Sequence, residues 1–178
     1  SLGEFEQGRP LIEQFRHTFP EYTILLTFFS PSGYEIRKNY TVANHVCYLP
    51  LDTPSNARFF LDVVKPSLVF FIKYEFWYFF IREIKNRAIP LFGVSYIFRA
   101  DQLFFRWYGK WYRKMLYKFE HFFLQNESSQ KLLESYGIRN VTVAGDTRFD
   151  RVVTIRESVR ELPWIEKFKD NKSLFIIG

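Results

Sequence analysis

Several features that would assign the chain to a broad class are missing from its sequence. Cys47 is the only cysteine, which excludes an intrachain disulfide and is compatible with a reducing compartment. The three histidines, His17, His45 and His121, are widely spaced and show no metal-ligand pattern, so neither a metal nor another cofactor is predicted. No run of about 18 apolar residues occurs, which excludes a membrane-spanning helix, and no signal peptide or internal repeat is visible.

Aromatic rings and positive charge are abundant instead. The 178 residues include 22 Phe and 11 Tyr, and 25 Lys and Arg stand against 19 Asp and Glu, for a net charge of +6. A core rarely needs so many rings, so we expect some of them at the surface. A basic, aromatic surface favours an anionic partner such as a phosphate, a lipid head group or a nucleic acid.

Strand and helix patterns alternate along the chain. The predicted strands are Tyr22–Phe28, His45–Leu49, Ser67–Lys73, Ile89–Ser95, His121–Gln125 and Val141–Ala144. The predicted helices are Gly3–Phe19, Pro54–Val64, Phe76–Arg87, Leu103–Phe119 and Glu127–Tyr136. Strands that are apolar throughout are typical of a parallel sheet covered on both faces, so an α/β fold with a Rossmann-like parallel sheet flanked by helices is predicted.

The chain divides near residue 150. Residues 1–150 carry the alternating pattern, which loosens through Arg151–Asp170, and Ser173–Gly178 then resembles a new strand. We expect residues 151–178 to be a linker and the first strand of a second, C-terminal domain. The chain opens on a helix without a preceding strand, so it is expected to be truncated there as well.

The helix at Leu103–Phe119 interleaves aromatic with basic side chains. Its rings fall on more than one helical face, so a single core cannot bury them all. One interpretation is a helix that sits in a lipid head-group layer, where Trp and Tyr combine with Lys and Arg. The other is an aromatic core helix with a solvated basic face.

The first candidate for chemistry is Glu4. Ser1 and Glu4 fit the capping box, in which both side chains satisfy free backbone N–H groups at a helix start. Alternatively, Glu4 is a general base, since a helix N-terminus favours an ionised carboxylate and such a group accepts a proton from an attacking hydroxyl. The residues around Glu4 do not decide between the two.

Further candidates follow the predicted strands, because ligands of open α/β sheets bind beyond the carboxyl ends of the strands. These strand-end residues are Ser30, Pro31 and Gly33 after the first strand, Lys73 and Glu75 after the third, Arg99 after the fourth, and Arg148 after the sixth. Hydroxyls, a glycine and cations at such positions can hold a phosphate, a carboxylate or a sugar hydroxyl. An ordinary capped turn and a solvated ion pair remain the alternatives.

As a set, these motifs resemble a known family. The segments SLGE, FFSPSG, YLPLDTP, KPSLVFFIKYEFW, IPLFGVSYIFR and VAGDTRFDRV occur in the order and spacing of the 3-deoxy-D-manno-octulosonic acid (Kdo) transferases of lipopolysaccharide synthesis. The resemblance covers Ser1 to about Arg151. It implies the N-terminal half of a GT-B glycosyltransferase, which binds the acceptor and whose C-terminal partner domain binds CMP-Kdo.

The resemblance also implies roles for individual residues. Glu4 matches the family's general base, and Lys73 and Arg148 match positions that stabilise the transition state. The Ser30–Gly33 loop matches an acceptor-facing loop, and Glu75 matches the glutamate of an E-x-W motif. Two departures are that Lys73 stands where some relatives carry glutamate and that Tyr96 replaces a small residue.

The implied function is inverting transfer of Kdo from CMP-Kdo to a hydroxyl of the lipid A precursor, at the cytoplasmic face of the bacterial inner membrane and without a metal. This chain alone is expected to be inactive, because the donor site would lie outside it. One alternative is another GT-B glycosyltransferase with a different acceptor. A second is a non-catalytic, basic aromatic module that binds nucleic acid, which is disfavoured because the rings lie on a helix rather than on a sheet.

Overall fold

The computed structural model describes residues 2–147, 149, 156 and 167–169. Ser1, Arg148 and the predicted strand Ser173–Gly178 therefore lie outside the described residues, as does most of the predicted linker. The helices are α1 (Leu2–Thr18), α2 (Pro31–Arg37), α3 (Pro54–Val64), α4 (Tyr78–Asn86), α5 (Lys110–Arg113) and α6 (Glu127–Ser135). The strands are β1 (Leu25–Phe28), β2 (His45–Tyr48), β3 (Val69–Ile72), β4 (Leu91–Tyr96), β5 (His121–Leu124) and β6 (Val141–Val143).

All strand pairs among the described residues are parallel, and they form two groups. β1 pairs with β2, with Leu25 opposite His45, while the other four strands run in the order β3-β4-β5-β6. Parallel strands joined by helices are the arrangement that the alternating sequence pattern predicted. The fold is therefore Rossmann-like, as expected.

The core lies around β4 and β5 and is rich in aromatic rings. Tyr96 and Phe122 are fully buried, and the Phe119 and Phe122 rings stack with centroids 4.5 Å apart. Gly93 makes room for this packing, because a Cβ there would lie 2.5 Å from the Phe122 ring. Many of the 22 Phe residues are thus used for packing between the sheet and its helices.

Two predicted helix boundaries are confirmed in atomic detail. The Thr53 hydroxyl accepts a hydrogen bond from the Asn56 N–H at 3.2 Å, with Pro54 at the first helical position of α3. The Asn126 side chain caps α6 in the same way, accepting from the Ser129 N–H at 2.9 Å. Gly137 follows that helix with φ +81°, a conformation that glycine adopts without strain.

The prediction of one helix over Leu103–Phe119 is wrong. The segment consists of 3₁₀ turns at Leu103–Phe105, Trp107–Gly109 and Leu116–Lys118 around the four-residue helix α5. The chain folds back tightly at Gly109, where a Cβ would lie 1.7 Å from the carbonyl oxygen of Leu103. Aromatic side chains are weak helix formers, so propensity does not oppose this compact path.

Other differences are smaller. The helix α2 was not predicted, and it is a short one of seven residues that begins at Pro31. α1 continues through Pro10, as the predicted helix Gly3–Phe19 does, although proline lacks the N–H that would complete a helical hydrogen bond. Among the described helices, none is long and apolar enough to cross a membrane.

Candidate functional site

Four side chains from three segments meet at the carboxyl ends of β1 and β3. Glu4 from α1, Phe29 after β1, and Glu75 and Trp77 after β3 all line one cavity of about 860 Å³. The Phe29 and Trp77 rings pack with centroids 4.6 Å apart. Glu4 is partly exposed rather than sealed in the interior, as a group that meets a substrate must be.

The two carboxylates of this site influence each other. Burial raises the pKa of Glu75, and the negative charge of Glu4 raises it further. The Trp77 Nε1–H donates a hydrogen bond to the Glu75 carboxylate, which opposes that rise in pKa. A pair of neighbouring carboxyl groups, one of them in an environment that disfavours its charge, is an arrangement often found in acid–base sites.

Tyr96 supports the Glu75 loop from below. Its ring is fully buried, and its hydroxyl donates a 2.7 Å hydrogen bond to the backbone oxygen of Glu75. Burial, followed by the charges of Glu75 and Glu4, raises the pKa of Tyr96 far above its ordinary range, so the phenol remains a donor. The sequence marked Tyr96 as a departure from the family pattern, but it did not indicate this supporting role.

Two residues at the same edge of the sheet have a left-handed backbone conformation. Lys73, directly after β3, has φ +64°, and Ser95, at the end of β4, has φ +60°. This left-handed region costs a residue with a side chain roughly 1–2 kcal/mol. Lys73 keeps the conformation because its N–H donates to the Val94 oxygen at 2.8 Å. Its ammonium lies 5.5 Å from the centre of the Tyr74 ring.

A polar cluster next to Ser95 joins the last strands to α1. The Ser95 hydroxyl is 3.2 Å from that of Thr147, and Gln125 donates to the Ser95 carbonyl oxygen at 3.0 Å. Thr147 in turn donates to the carbonyl oxygen of Gln7 at 2.8 Å. Sequence reasoning missed this cluster, because its members are up to 140 positions apart.

The Ser30–Gly33 loop lies beside the site. Ser30 precedes α2, and its hydroxyl is 2.7 Å from that of Ser32, while Pro31 takes the first helical position. Gly33 is buried, and a Cβ there would lie 2.5 Å from the Phe28 ring. Gly33 thus lets α2 pack against β1, a requirement that explains the glycine without a ligand. The acceptor-facing role of this loop stays a prediction.

Of the two predicted arginines, only Arg99 is described. Its side chain is exposed, and its guanidinium pairs with Asp101 at 3.4 Å. Arg148 lies outside the described residues, but its neighbour Thr147 contacts α1 three residues beyond Glu4. Across the described part of the chain, no group of three His, Cys, Asp or Glu side chains is arranged to hold a metal ion.

Asp52 fixes the start of α4, immediately after Trp77. One carboxylate oxygen accepts from the N–H groups of Phe79 at 3.0 Å and Phe80 at 3.1 Å. Trp77 itself makes no capping hydrogen bond with its side chain. The carboxylate from another segment therefore satisfies the free N–H groups of this helix.

The segment Leu103–Tyr117 carries an aromatic surface, defined here by its exposed rings and cations. The rings are Trp107, Tyr108, Trp111, Tyr112 and Tyr117. The cations are Arg106, Lys110 and Lys114. Trp107 is 91% exposed, whereas Phe104, Phe105 and Leu116 from the same segment are buried. One side of the segment thus joins the core and the other faces solvent, whereas contact with a lipid head-group layer stays a prediction.

The parallel strands flanked by helices give this chain the fold of a Rossmann-like half of a GT-B protein. The chain is similar in structure to UDP-GlcNAc 2-epimerase from Neisseria meningitidis, solved with UDP-GlcNAc bound, with a TM-score of 0.67. The match covers 96% of this chain and 51% of the epimerase chain. At 14% identity this similarity shows the fold alone.

Sequence comparison identifies the family. Residues 1–151 match the family 3-Deoxy-D-manno-octulosonic-acid transferase (kdotransferase), so the chain belongs to the Kdo transferases. The chain is 35% identical to the 3-deoxy-D-manno-octulosonic acid transferase of Haemophilus influenzae over 92 residues, which are 51% of this chain and 21% of that protein.

Two further relatives carry the same description. The enzyme of Aquifex aeolicus is 33% identical over 78 residues, which cover 43% of this chain and 21% of that protein. That of Rickettsia bellii is 27% identical over 153 residues, which cover 84% of this chain and 36% of that protein. The chain thus spans between a fifth and about a third of the length of these relatives.

Proposed function

We propose that this chain is the acceptor-binding part of an enzyme that transfers Kdo from CMP-Kdo to a hydroxyl of the lipid A precursor. The observation that carries the proposal is the meeting of Glu4 and Glu75 at one cavity, at the carboxyl edge of a sheet from the Kdo transferase family. Residues 1–150 would form the acceptor domain, and 151–178 would lead into a C-terminal domain that binds the donor.

Glu4 acts as the general base in this scheme. The acceptor oxygen attacks the anomeric carbon of Kdo and its proton passes to the Glu4 carboxylate, while the bond from that carbon to the phosphate oxygen of CMP breaks. Attack from the side opposite the leaving group inverts the configuration. General-base assistance of this kind is worth about 10²–10⁴-fold in rate.

The remaining site residues bind and orient. CMP leaves as an anion, so Lys73 and Arg148 would offset its developing charge, with Lys73 held at the strand end by its bond to Val94. Glu75 would accept a hydrogen bond from an acceptor hydroxyl, in a position fixed by Trp77 and Tyr96. Ser30, Pro31, Gly33 and Arg99 would contact the phosphorylated acceptor, with Arg99 as the cation for a phosphate.

The aromatic surface would hold the enzyme against the cytoplasmic face of the inner membrane, where a lipid acceptor resides. Exposed tryptophans and tyrosines beside Arg106, Lys110 and Lys114 match the chemistry of an anionic head-group layer. We expect a Trp107→Ala/Trp111→Ala double variant to lose at least tenfold in binding to phosphatidylglycerol vesicles. Ile36→Ala, which also removes an exposed apolar side chain but on α2, should bind normally. Equal binding by the two variants would exclude this surface as the contact.

The function is tested by incubating the full-length protein with lipid A precursor and CMP-Kdo and following product by mass spectrometry. We expect Kdo-modified lipid with the full-length protein and none with the 178-residue chain. Nucleotide-diphosphate sugars and other acceptors, tested in parallel, should give no product. Transfer to a different acceptor, or from a different donor only, would replace the proposal with another GT-B glycosyltransferase.

A further inference from the structure

The chain leaves the sheet shortly before Arg148. The N–H groups of Ala144 and Gly145 both donate to the Leu124 oxygen of β5, at 2.8 and 3.2 Å, and Gly145 then turns the chain with φ +81°. Two positions further on, the Thr147 hydroxyl bonds to another part of the molecule. Arg148, which would offset the charge of the departing CMP, is the residue directly after Thr147.

The hydrogen bonds around Thr147 have a defined direction. The Thr147 hydroxyl carries one proton, which it donates to the backbone oxygen of Gln7 at 2.8 Å. Its oxygen therefore accepts from the Ser95 hydroxyl at 3.2 Å. The Gln125 amide nitrogen lies 3.4 Å from the Ser95 hydroxyl oxygen and also donates to the Ser95 carbonyl oxygen. The donors thus run from the end of β5, through β4, to α1.

This cluster is built from buried polar groups, which are rare in the described part of the chain. Besides Tyr96, the buried polar side chains there are Gln7, Ser95 and Ser129. Ser129 serves the fold, since its hydroxyl accepts from the Phe98 N–H at 2.8 Å. Gln7 and Ser95 both belong to the cluster, and Ser95 also has the strained φ of +60°. Apolar side chains without strain would pack at less cost, so these residues indicate a role beyond packing.

α1 is the fixed partner of the bond from Thr147. It is 17 residues long and packs against α2, β3 and β4. Gly8 lies so close to β3 that a Cβ there would be 3.1 Å from the Ile72 side chain. Glu4 precedes Gln7 by about one helical turn, so one rigid element carries both. Thr147 is therefore bonded to the helix that carries the proposed base.

We propose that Thr147 is a positioning residue for Kdo transfer, which holds Arg148 at a fixed distance from Glu4. This role rests on the proposed function, in which Glu4 takes the proton of the attacking hydroxyl and Arg148 offsets the charge of the departing CMP. The two groups act on opposite sides of the anomeric carbon, so their separation must match the transition state. The Thr147 hydroxyl sets that separation through one hydrogen bond, which spans 140 positions of the chain.

Thr147→Val in the full-length protein removes the hydroxyl and keeps the shape of the side chain. We expect kcat for Kdo transfer to fall at least about fivefold, with KM for the acceptor unchanged within about twofold, because Arg148 acts in the transition state. Thr147→Ser keeps the hydroxyl and should restore kcat to within about twofold. Thr142→Val is the matched control and should transfer normally, since the exposed Thr142 hydroxyl on β6 bonds to His121 at 2.9 Å. A smaller fall in kcat, an equal change in KM, or no recovery with serine would overturn the proposal.

A double-mutant cycle tests whether Thr147 acts through Arg148. In an Arg148→Ala background, Thr147→Val should change kcat by less than about twofold, because the group that it positions is gone. A merely structural hydroxyl would lower kcat by the same factor in both backgrounds. A change of about twofold or more in the Arg148→Ala background would therefore overturn the proposal.

Limited proteolysis by trypsin tests the bond independently of any enzymatic activity. Cleavage after Arg148 should be at least about fivefold faster in Thr147→Val than in the unmodified protein, because the segment is released from α1. Cleavage after Arg139, an exposed residue before β6, should be unchanged and is the internal control. Equal rates of cleavage after Arg148 would overturn the proposal. Faster cleavage in a protein that transfers no Kdo would show that the proposed function had failed, and the positioning role with it, while the bond to α1 stood.

Discussion

Replacing Tyr96 by Phe tests whether the carboxylate site is held by the core beneath it. The substitution removes one hydroxyl, which donates to the Glu75 backbone oxygen at 2.7 Å, and keeps the ring that packs against Phe76, Phe98 and Phe122. No cavity larger than the hydroxyl results, because Tyr96 is fully buried and its ring stays in place. Any effect can therefore be assigned to the hydrogen bond.

The expected loss of stability arises because the backbone oxygen of Glu75 is left without its hydrogen-bond donor. Such a group costs about 1–3 kcal/mol in the free energy of unfolding. For a chain of 178 residues this corresponds to a fall in melting temperature of about 2–4 °C per kcal/mol. Because the loop that carries Glu75 is released, we also expect kcat/KM for transfer by the full-length enzyme to fall at least about tenfold, or about 1.4 kcal/mol.

The matched control is Tyr136→Phe. The Tyr136 hydroxyl donates to the Phe105 oxygen at 3.2 Å, on the side of the molecule that carries α6. This variant should lose stability but keep its kcat/KM. Urea unfolding and initial-rate kinetics on both variants make the comparison. If Tyr96→Phe unfolds at the same urea concentration as the unmodified chain and transfers normally, Tyr96 does not hold the Glu75 loop.

Three other substitutions follow from the same structure. Glu75→Gln should stabilise the protein near neutral pH but not at acid pH, because the raised pKa of Glu75 means that folding disfavours its charged form. The penalty is absent below the ordinary pKa of 4.5 and grows as pH rises through the pKa of the folded state. Equal free energies of unfolding for the variant and the unmodified protein at about pH 7 would contradict this prediction. Lys73→Gly should be more stable than Lys73→Ala by about 1 kcal/mol, since only glycine adopts a φ of +64° without strain, and both variants should lose Kdo transfer activity. Identical urea midpoints for the two variants would argue against strain at this position. Asp52→Ala should cost about 1–2 kcal/mol in the free energy of unfolding, because the N–H groups of Phe79 and Phe80 in α4 lose their acceptor. Asp62→Ala removes an exposed ion pair with Arg87 and should cost less than half of that in the same urea titration.

The part of the fold that could be predicted from sequence is the part set by short-range patterns. Each β-strand of this sheet is apolar along its length and is bounded by turn residues, so the strands from β1 to β6 were located to within a few residues. The starts of α3 and α6 at Pro54 and Glu127 were also predicted correctly, and each is fixed by a cap, Thr53 or Asn126, whose hydrogen bond reaches only three positions along the chain. Parallel pairing followed from the alternation of strands with helices.

Contacts between distant positions could not be predicted in this way. The bonds from Tyr96 to Glu75, from Asp52 to α4, and from Thr147 to Gln7 join residues that are 21, 27 and 140 positions apart. The segment Leu103–Phe119 was misassigned because its path is set by the close approach of Gly109 to Leu103, which no short-range pattern indicates. The positions of the candidate residues at the strand ends were predicted, but the contacts that hold them there were not, and their roles in the reaction stay predictions.

Replacing Glu4 by Gln in the full-length protein is the most direct test of Glu4 as the proton acceptor. The amide has the same shape but cannot accept the proton, so transfer from CMP-Kdo should fall about 10²–10⁴-fold with little change in the melting temperature. Glu6→Gln is the control, since Glu6 lies on the same helix but its carboxylate pairs with Arg37 at 2.8 Å. A Glu4→Gln enzyme that turns over within threefold of the Glu6→Gln enzyme would remove Glu4 from the mechanism.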